Sequence, residues 1–214
     1  INDMFEPGVG NRKWREDGTL RLLYVSVYYP HKVPNIISRA VQQLIDKGID
    51  AHATITMTLR EFEEMNGSAL DKTVVTDAYR RGLITLGHHS YKDLPNLYGS
   101  HDVFVFPSVS ETFGHPMAEA MSSGLPTVAS DTPVNREICG DAALYFEPFS
   151  AQGLVEQLHK LDQDPELRRR NSNDGRQRAL QNFGWSDHID RLIETFEKVA
   201  HGGAKPGTAS AHAA

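Results

Sequence analysis

The 214-residue sequence is poor in cysteine: Cys139 is the only one. That excludes a disulfide framework and a cysteine-built zinc site, makes a reducing compartment the default, and leaves Cys139 to be read as a buried small hydrophobe. Positive charge is not in excess either. With 22 Lys and Arg against 28 Asp and Glu, the net charge is −6, which argues against a nucleic acid or anionic membrane held by bulk electrostatics. No apolar run approaches the roughly 20 residues that cross a bilayer, and no internal repeat is visible. The chain opens at Ile1 without the charged and apolar regions of a secretory signal, and without an initiator methionine it reads as a piece of something longer. What remains can build a core. At 39% hydrophobic and 23% charged, the composition is that of a folded chain, long for one average domain and short for two.

Residues 1–18 are polar and glycine-rich and read as a linker ending at the turn Asp17-Gly18. From Leu20 to Val27 apolar and β-branched residues run almost unbroken, the pattern of a strand buried on both faces. Ile37, Ala40, Val41, Leu44 and Ile45 then recur at helical spacing up to Gly48. Further strands are expected over Ala51–Met57, Leu83–Leu86, Asp102–Phe106, Pro126–Ser130 and Ala142–Phe146. Between them lie helical stretches: 58–82 interrupted at Asn66-Gly67, Tyr91–Tyr98 broken by Pro95, Pro116–Ser123 and Pro133–Ile138. Three helices follow Ser150, the last with Ile189, Leu192, Ile193, Phe196 and Val199 on one face, and the small-residue tail 202–214 reads as disordered. This alternation predicts an α/β fold: a Rossmann-like parallel sheet with helices on both faces, spanning 19–201. Such sheets bind ligands at the carboxyl ends of their strands.

One strand's carboxyl end carries an informative segment, PSVSETFGHPMAEAMSSGLPTVASD, residues 107–131. His115 is placed as a helix N-cap and Pro116 at the first helical position, where its missing N–H costs nothing. The amides of Gly114, His115 and Met117 then point out of the helix start, and with the helix dipole they make an anion site. Gly114 lets a phosphate approach the backbone closely. Glu111 lies in the loop and Glu119 one turn into the helix. Each carboxylate can accept two hydroxyl hydrogen bonds, so the pair suits a ligand with both phosphate and several hydroxyls, such as a nucleotide-sugar. Taken alone, Glu119 is equally well read as complementing the helix dipole. Among other candidates, His88 and His89 lack metal-ligand spacing and read as a polar loop, and Arg168–Arg170 reads as a solvated helix face.

The segment from Glu111 to Glu119 and onward, ETFGHPMAEAMSSGLPTVAS, resembles the E-x7-E signature of retaining glycosyltransferases of the family-4 type, which have the GT-B architecture of two facing Rossmann-like domains. The preceding LPNLYGSHDVFVFPS is similar to the helix and strand that lead into that signature, and the polar start is similar to an interdomain linker. The resemblance runs from about Leu20 to Val199 and corresponds to the C-terminal, donor-binding half. It implies that Glu119 accepts hydrogen bonds from ribose hydroxyls and that Glu111 holds donor-sugar hydroxyls near the anomeric centre. It further implies that backbone amides around Phe113, Gly114, His115, Pro116 and Met117 bind sugar and diphosphate, and that Gly87, His88 and His89 lie against the base. After the first strand the family usually carries Gly-Arg followed five residues later by Lys. Here Ser26 and Val27 occupy the first two positions and Lys32 the third, with Tyr28 or His31 as partial substitutes for the arginine.

The implied activity is sugar transfer from a nucleotide-diphosphate donor, UDP- or GDP-linked, with retention. Lys32 and the helix start would stabilise the departing diphosphate, so no metal and no separate cofactor is implied. The acceptor, a glycan or lipid-linked glycan of polysaccharide biosynthesis, would be held by an N-terminal domain outside this chain, which would be inactive alone. The implied location is cytoplasmic, with peripheral membrane attachment through that other domain as an option. A non-catalytic nucleotide-sugar-binding module is the main alternative, favoured by Val27. A glycosidase using Glu111 and Glu119 is disfavoured by their lying on one loop–helix unit.

Overall fold

The computed structural model describes residues 4–5 and 13–202. Six strands form one all-parallel sheet: β1 (Leu20–Tyr24), β2 (Ala51–Ile55), β3 (Ile84–Leu86), β4 (Val103–Phe106), β5 (Thr127–Ser130) and β6 (Leu144–Phe146). Their spatial order is β3-β2-β1-β4-β5-β6. Nine helices accompany them among the described residues: α1 (Asn35–Asp46), α2 (Leu59–Glu64), α3 (Ala69–Arg80), α4 (Leu94–Gly99), α5 (His115–Ser122), α6 (Pro133–Cys139), α7 (Ala151–Gln163), α8 (Pro165–Asn182) and α9 (Trp185–Gly202).

Every residue of β4 and β5 is buried, as the unbroken apolar runs predict for central parallel strands covered on both faces. β1 pairs with β2 on one side, Leu22 opposite Ala53, and with β4 on the other, Leu22 opposite Val103. The chain therefore steps outward from β1 in one direction and from β4 in the opposite one. Right-handed crossovers, the rule for parallel strands, place α1 and α5 on opposite faces of such a sheet. α1 packs against α3 and α7, whereas α5 packs against α8. Gly175 of α8 permits that last contact, since a Cβ there would stand 3.2 Å from the Met121 side chain.

The strands are shorter than the apolar runs because chain leaving the sheet stays buried. Val25 is 8% exposed although β1 ends at Tyr24. Pro95 does not break a helix. A 3₁₀ turn over Tyr91–Asp93 gives way to α4, and Pro95 sits in the first turn of that helix, where no amide is needed. Cys139 is buried, with its thiol pKa pushed up to about 12 by desolvation. Arg168 is not a solvated residue: it lies 4.6 Å over the Trp14 ring and donates to the carbonyls of Leu161 and Asp162 at the end of α7.

Of the segment expected as linker, residues 1–3 and 6–12 lie outside the described residues, as does the expected tail from 203 on. The described parts pack on the domain: Phe5 is 1% exposed against Tyr91 and Tyr98, and Trp14 donates to Asp162. The apolar face of α9 is present as expected, and Ile193, Phe196 and Val199 on it are 50–69% exposed.

The carboxyl ends of β4 and β5 are tied by Asn135, whose Nδ2 donates to the Ser130 carbonyl and hydroxyl at 2.9 Å and to the Ser108 carbonyl at 3.4 Å. The side chain is fully buried. Asn135→Ala leaves those acceptors short of a donor and is expected to cost about 1–3 kcal/mol. Urea unfolding checks this, and a loss below about 0.5 kcal/mol, the range of ordinary surface changes, contradicts it.

Candidate functional site

Between β1 and β4 the strand order reverses, the place at which open parallel sheets generally hold their ligands, and two loops leave the sheet there. The first loop, residues 25–34, makes a 3₁₀ turn over Pro30–Lys32. It is clamped to the second loop, residues 107–114: the His31 carbonyl accepts from the Val109 amide at 3.0 Å and the Ser108 hydroxyl at 3.3 Å. From below, the Tyr24 hydroxyl donates to the Lys32 carbonyl at 3.1 Å. These bonds bring Lys32 to Glu111, and their side chains form an ion pair with only 13% and 11% exposure. Lys32 Nζ also stands 6.0 Å from the centroid of the Phe106 ring. A part-buried pair of this kind is costly unless both charges stay partnered. An anionic ligand binding here would have to offer Lys32 an equivalent anion and Glu111 a set of donors.

The start of α5 differs from the sequence expectation in one respect. Gly114, not His115, is the N-cap, at φ 82°, and a Cβ there would lie 2.6 Å from the Met117 side chain. His115 is the first helical residue and Pro116 follows it. The Met117 amide, expected to point outward, donates instead to the Gly114 carbonyl at 3.0 Å. Among the described residues, the amides of Gly114 and His115 have no such partner, so of the three amides expected to face an anion those two remain open at the tip of α5. The Phe113 and His115 rings lie beside it with centroids 4.7 Å apart, tilted by 52°.

Glu119 is 7% exposed and accepts from the Tyr98 hydroxyl at 2.9 Å. Desolvation raises its pKa above the ordinary carboxylate range, and the Tyr98 hydrogen bond only partly offsets this. The Tyr98 phenol is pushed well up, by burial first and then by the Glu119 charge.

A cavity of about 700 Å³ opens here, lined by Tyr91, Phe113, His115 and Glu119 from the sheet side and by Asn182, Phe183, Trp185, His188 and Arg191 from α8 and α9. That volume lies within the range of small-molecule sites. Phe113 meets Phe183 edge-on at 5.3 Å, and Trp185 lies 5.4 Å from His188. The structure thus gathers Phe113, His115 and Glu119 in one cavity and Lys32 with Glu111 in an ion pair two residues up the same loop. Ser26 lies at the exit of β1, its amide bonded to Thr56 Oγ1 at 2.9 Å. Gly87, His88 and His89 follow β3, two strands away from the reversal. From that stretch it is Tyr91 that reaches the cavity. The α8–α9 wall escaped sequence reasoning. Its one signal was Phe183-Gly184-Trp185, aromatics flanking a glycine between two helical stretches. Among the described residues no helix is long and apolar enough to cross a membrane, and no three His, Cys, Asp or Glu side chains form a metal-binding group.

The model of a family described as "Glycosyl transferases group 1" matches residues 11–178. O-antigen chain mannosyltransferase B of Escherichia coli is 34% identical over 112 residues, covering 52% of this chain and 29% of that protein. In shape, the sucrose-phosphate synthase of Thermosynechococcus elongatus matches with a TM-score of 0.78 at 20% identity, over 94% of this chain and 51% of that one. Anabaena HepE, in a complex with UDP and glucose, matches at 0.74 and 18% identity, over 92% and 54%. The chain therefore spans under a third of the curated relative and about half of each structure, and the shared fold is that of the GT-B glycosyltransferases.

The Glu119 environment has a consequence for stability. Because its folded pKa is raised, the folded protein holds the proton more tightly than the unfolded chain, and ionising the group opposes folding as pH climbs from the unfolded to the folded value. Glu119→Gln keeps an acceptor for Tyr98 and removes the charge. The variant is expected to melt at a higher temperature than the parent near neutral pH, with the margin vanishing below about pH 4. Thermal melts across pH decide this, and a variant less stable at neutral pH contradicts it.

Proposed function

The chain belongs to the glycosyl transferases group 1 family, and on that premise we propose that it is the donor-binding half of a retaining glycosyltransferase that takes a nucleoside diphosphate sugar. The observation that carries the reading is the pairing of Lys32 with Glu111 at the reversal of the sheet, next to a cavity that holds Glu119 and the tip of α5. The two carboxylates have different partners, a lysine for one and a buried phenol for the other. That supports action on different parts of one ligand rather than as the acid and nucleophile of a glycosidase.

In this reading Glu119 accepts hydrogen bonds from the ribose hydroxyls and Glu111 from hydroxyls of the sugar near its anomeric carbon. Lys32 turns from Glu111 to the diphosphate and, with the Gly114 and His115 amides, stabilises the negative charge that grows there as the glycosidic bond breaks. Departure of the diphosphate leaves an oxocarbenium-like sugar, which an acceptor hydroxyl captures on the same face as its proton passes to the departing diphosphate oxygen. The acceptor, a glycan or lipid-linked glycan, and the groups that bind it belong to a domain outside this chain. No metal is assigned to the site, because Lys32 and the helix tip supply the counter-charge. A non-catalytic module binding the same ligand is a second reading, favoured by Val27: it is 56% exposed and leaves the usual arginine position without a cation.

Titration calorimetry with UDP-, GDP- and ADP-sugars and the matching nucleotides tests the assignments. Glu119→Ala is expected to weaken nucleotide and nucleotide-sugar alike by about tenfold or more, as removal of a charged hydrogen-bond partner does. Glu111→Ala is expected mainly to erase the preference for the sugar-bearing form. Absence of both effects overturns the reading. Donor affinity is also expected to be unchanged by EDTA, and a chelator-sensitive affinity counts against the assigned role of Lys32.

A further inference from the structure

The turn that presents Lys32 is conformationally costly. Its exit residue, Val33, is β-branched and sits at φ 46°, in the left-handed region. Such a residue persists only where its surroundings over-determine the backbone. Two helices outside the cavity lining, α2 and α3, supply that constraint. Tyr28, two residues before the turn, is 1% exposed, with its ring 4.3 Å from that of Phe62 on α2. Its hydroxyl donates to Asp71 Oδ2 and accepts from the Ser68 amide, both at 3.0 Å, while its own amide donates to Glu61 Oε1 at 3.3 Å. Gly67 has to lack a side chain, because a Cβ would come within 2.5 Å of the Tyr28 ring.

Asp71, 1% exposed on α3, also holds the other end of the turn. Its Oδ1 accepts from the backbone amide of Asn35 at 3.3 Å and from Asn35 Nδ2 at 2.6 Å. Tyr28 and Asn35 flank residues 30–33, so one buried carboxylate clasps both sides of the Lys32 turn. Neither Asp71 nor Tyr28 lines the cavity. We propose that Tyr28 and Asp71 are positioning residues: through the Tyr28 hydroxyl and the Asn35 side chain they fix where the Lys32 ammonium stands relative to Glu111 and to the phosphates of the ligand. The phosphate part rests on the function proposed above. The geometric part does not. Lys32 is the single Lys or Arg of residues 25–34, so the loop presents one such cation to a diphosphate and its placement matters correspondingly more.

Tyr28→Phe keeps the ring in its socket and removes only the hydroxyl. Asn35→Ala releases the opposite end of the turn and serves as the second variant should the first not fold. Two readouts are made on the folded chain. One is the NMR resonance of the Lys32 ammonium, assigned by its loss in Lys32→Met. The other is affinity for the nucleoside diphosphate chosen from UDP, GDP and ADP by thermal shift, compared with that for the matching nucleoside. The expected result is a shifted Lys32 resonance and diphosphate binding weakened by about tenfold, with nucleoside binding within about twofold of the parent. The double variant Tyr28→Phe/Lys32→Met should bind no more weakly than Lys32→Met alone, because the first change acts through the second residue. An unmoved resonance, equal weakening of nucleoside and diphosphate, or losses that multiply in the double variant would overturn the proposal. If Lys32→Met binds diphosphate like the parent, or no diphosphate binds, the proposed role of Lys32 fails. The resonance then still decides the positioning.

Discussion

The reversal of strand order between β1 and β4 is the constraint from which the site follows. Two right-handed crossovers that set out in opposite directions must carry their helices to opposite faces, so the loops above these neighbouring strands cannot cover one another. Leu22 pairs with Val103 although 81 positions separate them in sequence, and that pairing brings Lys32 to Glu111. Hydrogen bonds from Val109 and Ser108 to the His31 carbonyl then lock the two loops into one floor.

Three acidic side chains show how burial and donor supply sort a carboxylate into structure or chemistry. Asp71 is buried and surrounded by donors from Tyr28, Asn35 and Ser68, which is how an anion is made tolerable inside a protein. Glu111 is satisfied by the opposite charge of Lys32, which in the proposed reading exchanges it for a diphosphate. Glu119, nearly as buried as Asp71, has the Tyr98 hydroxyl as its one donor among the described residues, and its raised pKa registers the shortfall. In the proposed reading, the donors that Glu119 lacks are those a ligand brings, and stability is reduced in their absence.

Much of this was legible in the sequence. The buried runs around Leu22, Val105 and Val128 announced a parallel sheet, and Glu111, Gly114 and Glu119 marked the loop and helix that the structure places at the reversal. Local rules went astray where backbone geometry decided the matter. Gly114 took the cap position from His115 because a left-handed residue was needed there, and that choice turned the Met117 amide inward. What stayed hidden depended on contacts between distant segments. Nothing near Tyr28 announces Asp71, 43 positions away, as its partner, and the second wall of the cavity comes from the α8–α9 junction, some 70 residues beyond Phe113.

That division of the cavity wall has an evolutionary consequence. Tyr91, the Phe113–Glu119 unit and the Phe183–Arg191 stretch belong to three separate segments, and none of them is a strand of the sheet. Substitutions in the last helix reshape the cavity without touching a strand of the sheet or the Lys32–Glu111 pair, whereas residue 91 also packs on the buried Phe5. In the proposed reading, what the cavity admits and what holds the sheet together rest largely on different residues, with Glu119 serving both, which leaves such a domain room to change ligand while its scaffold stays put.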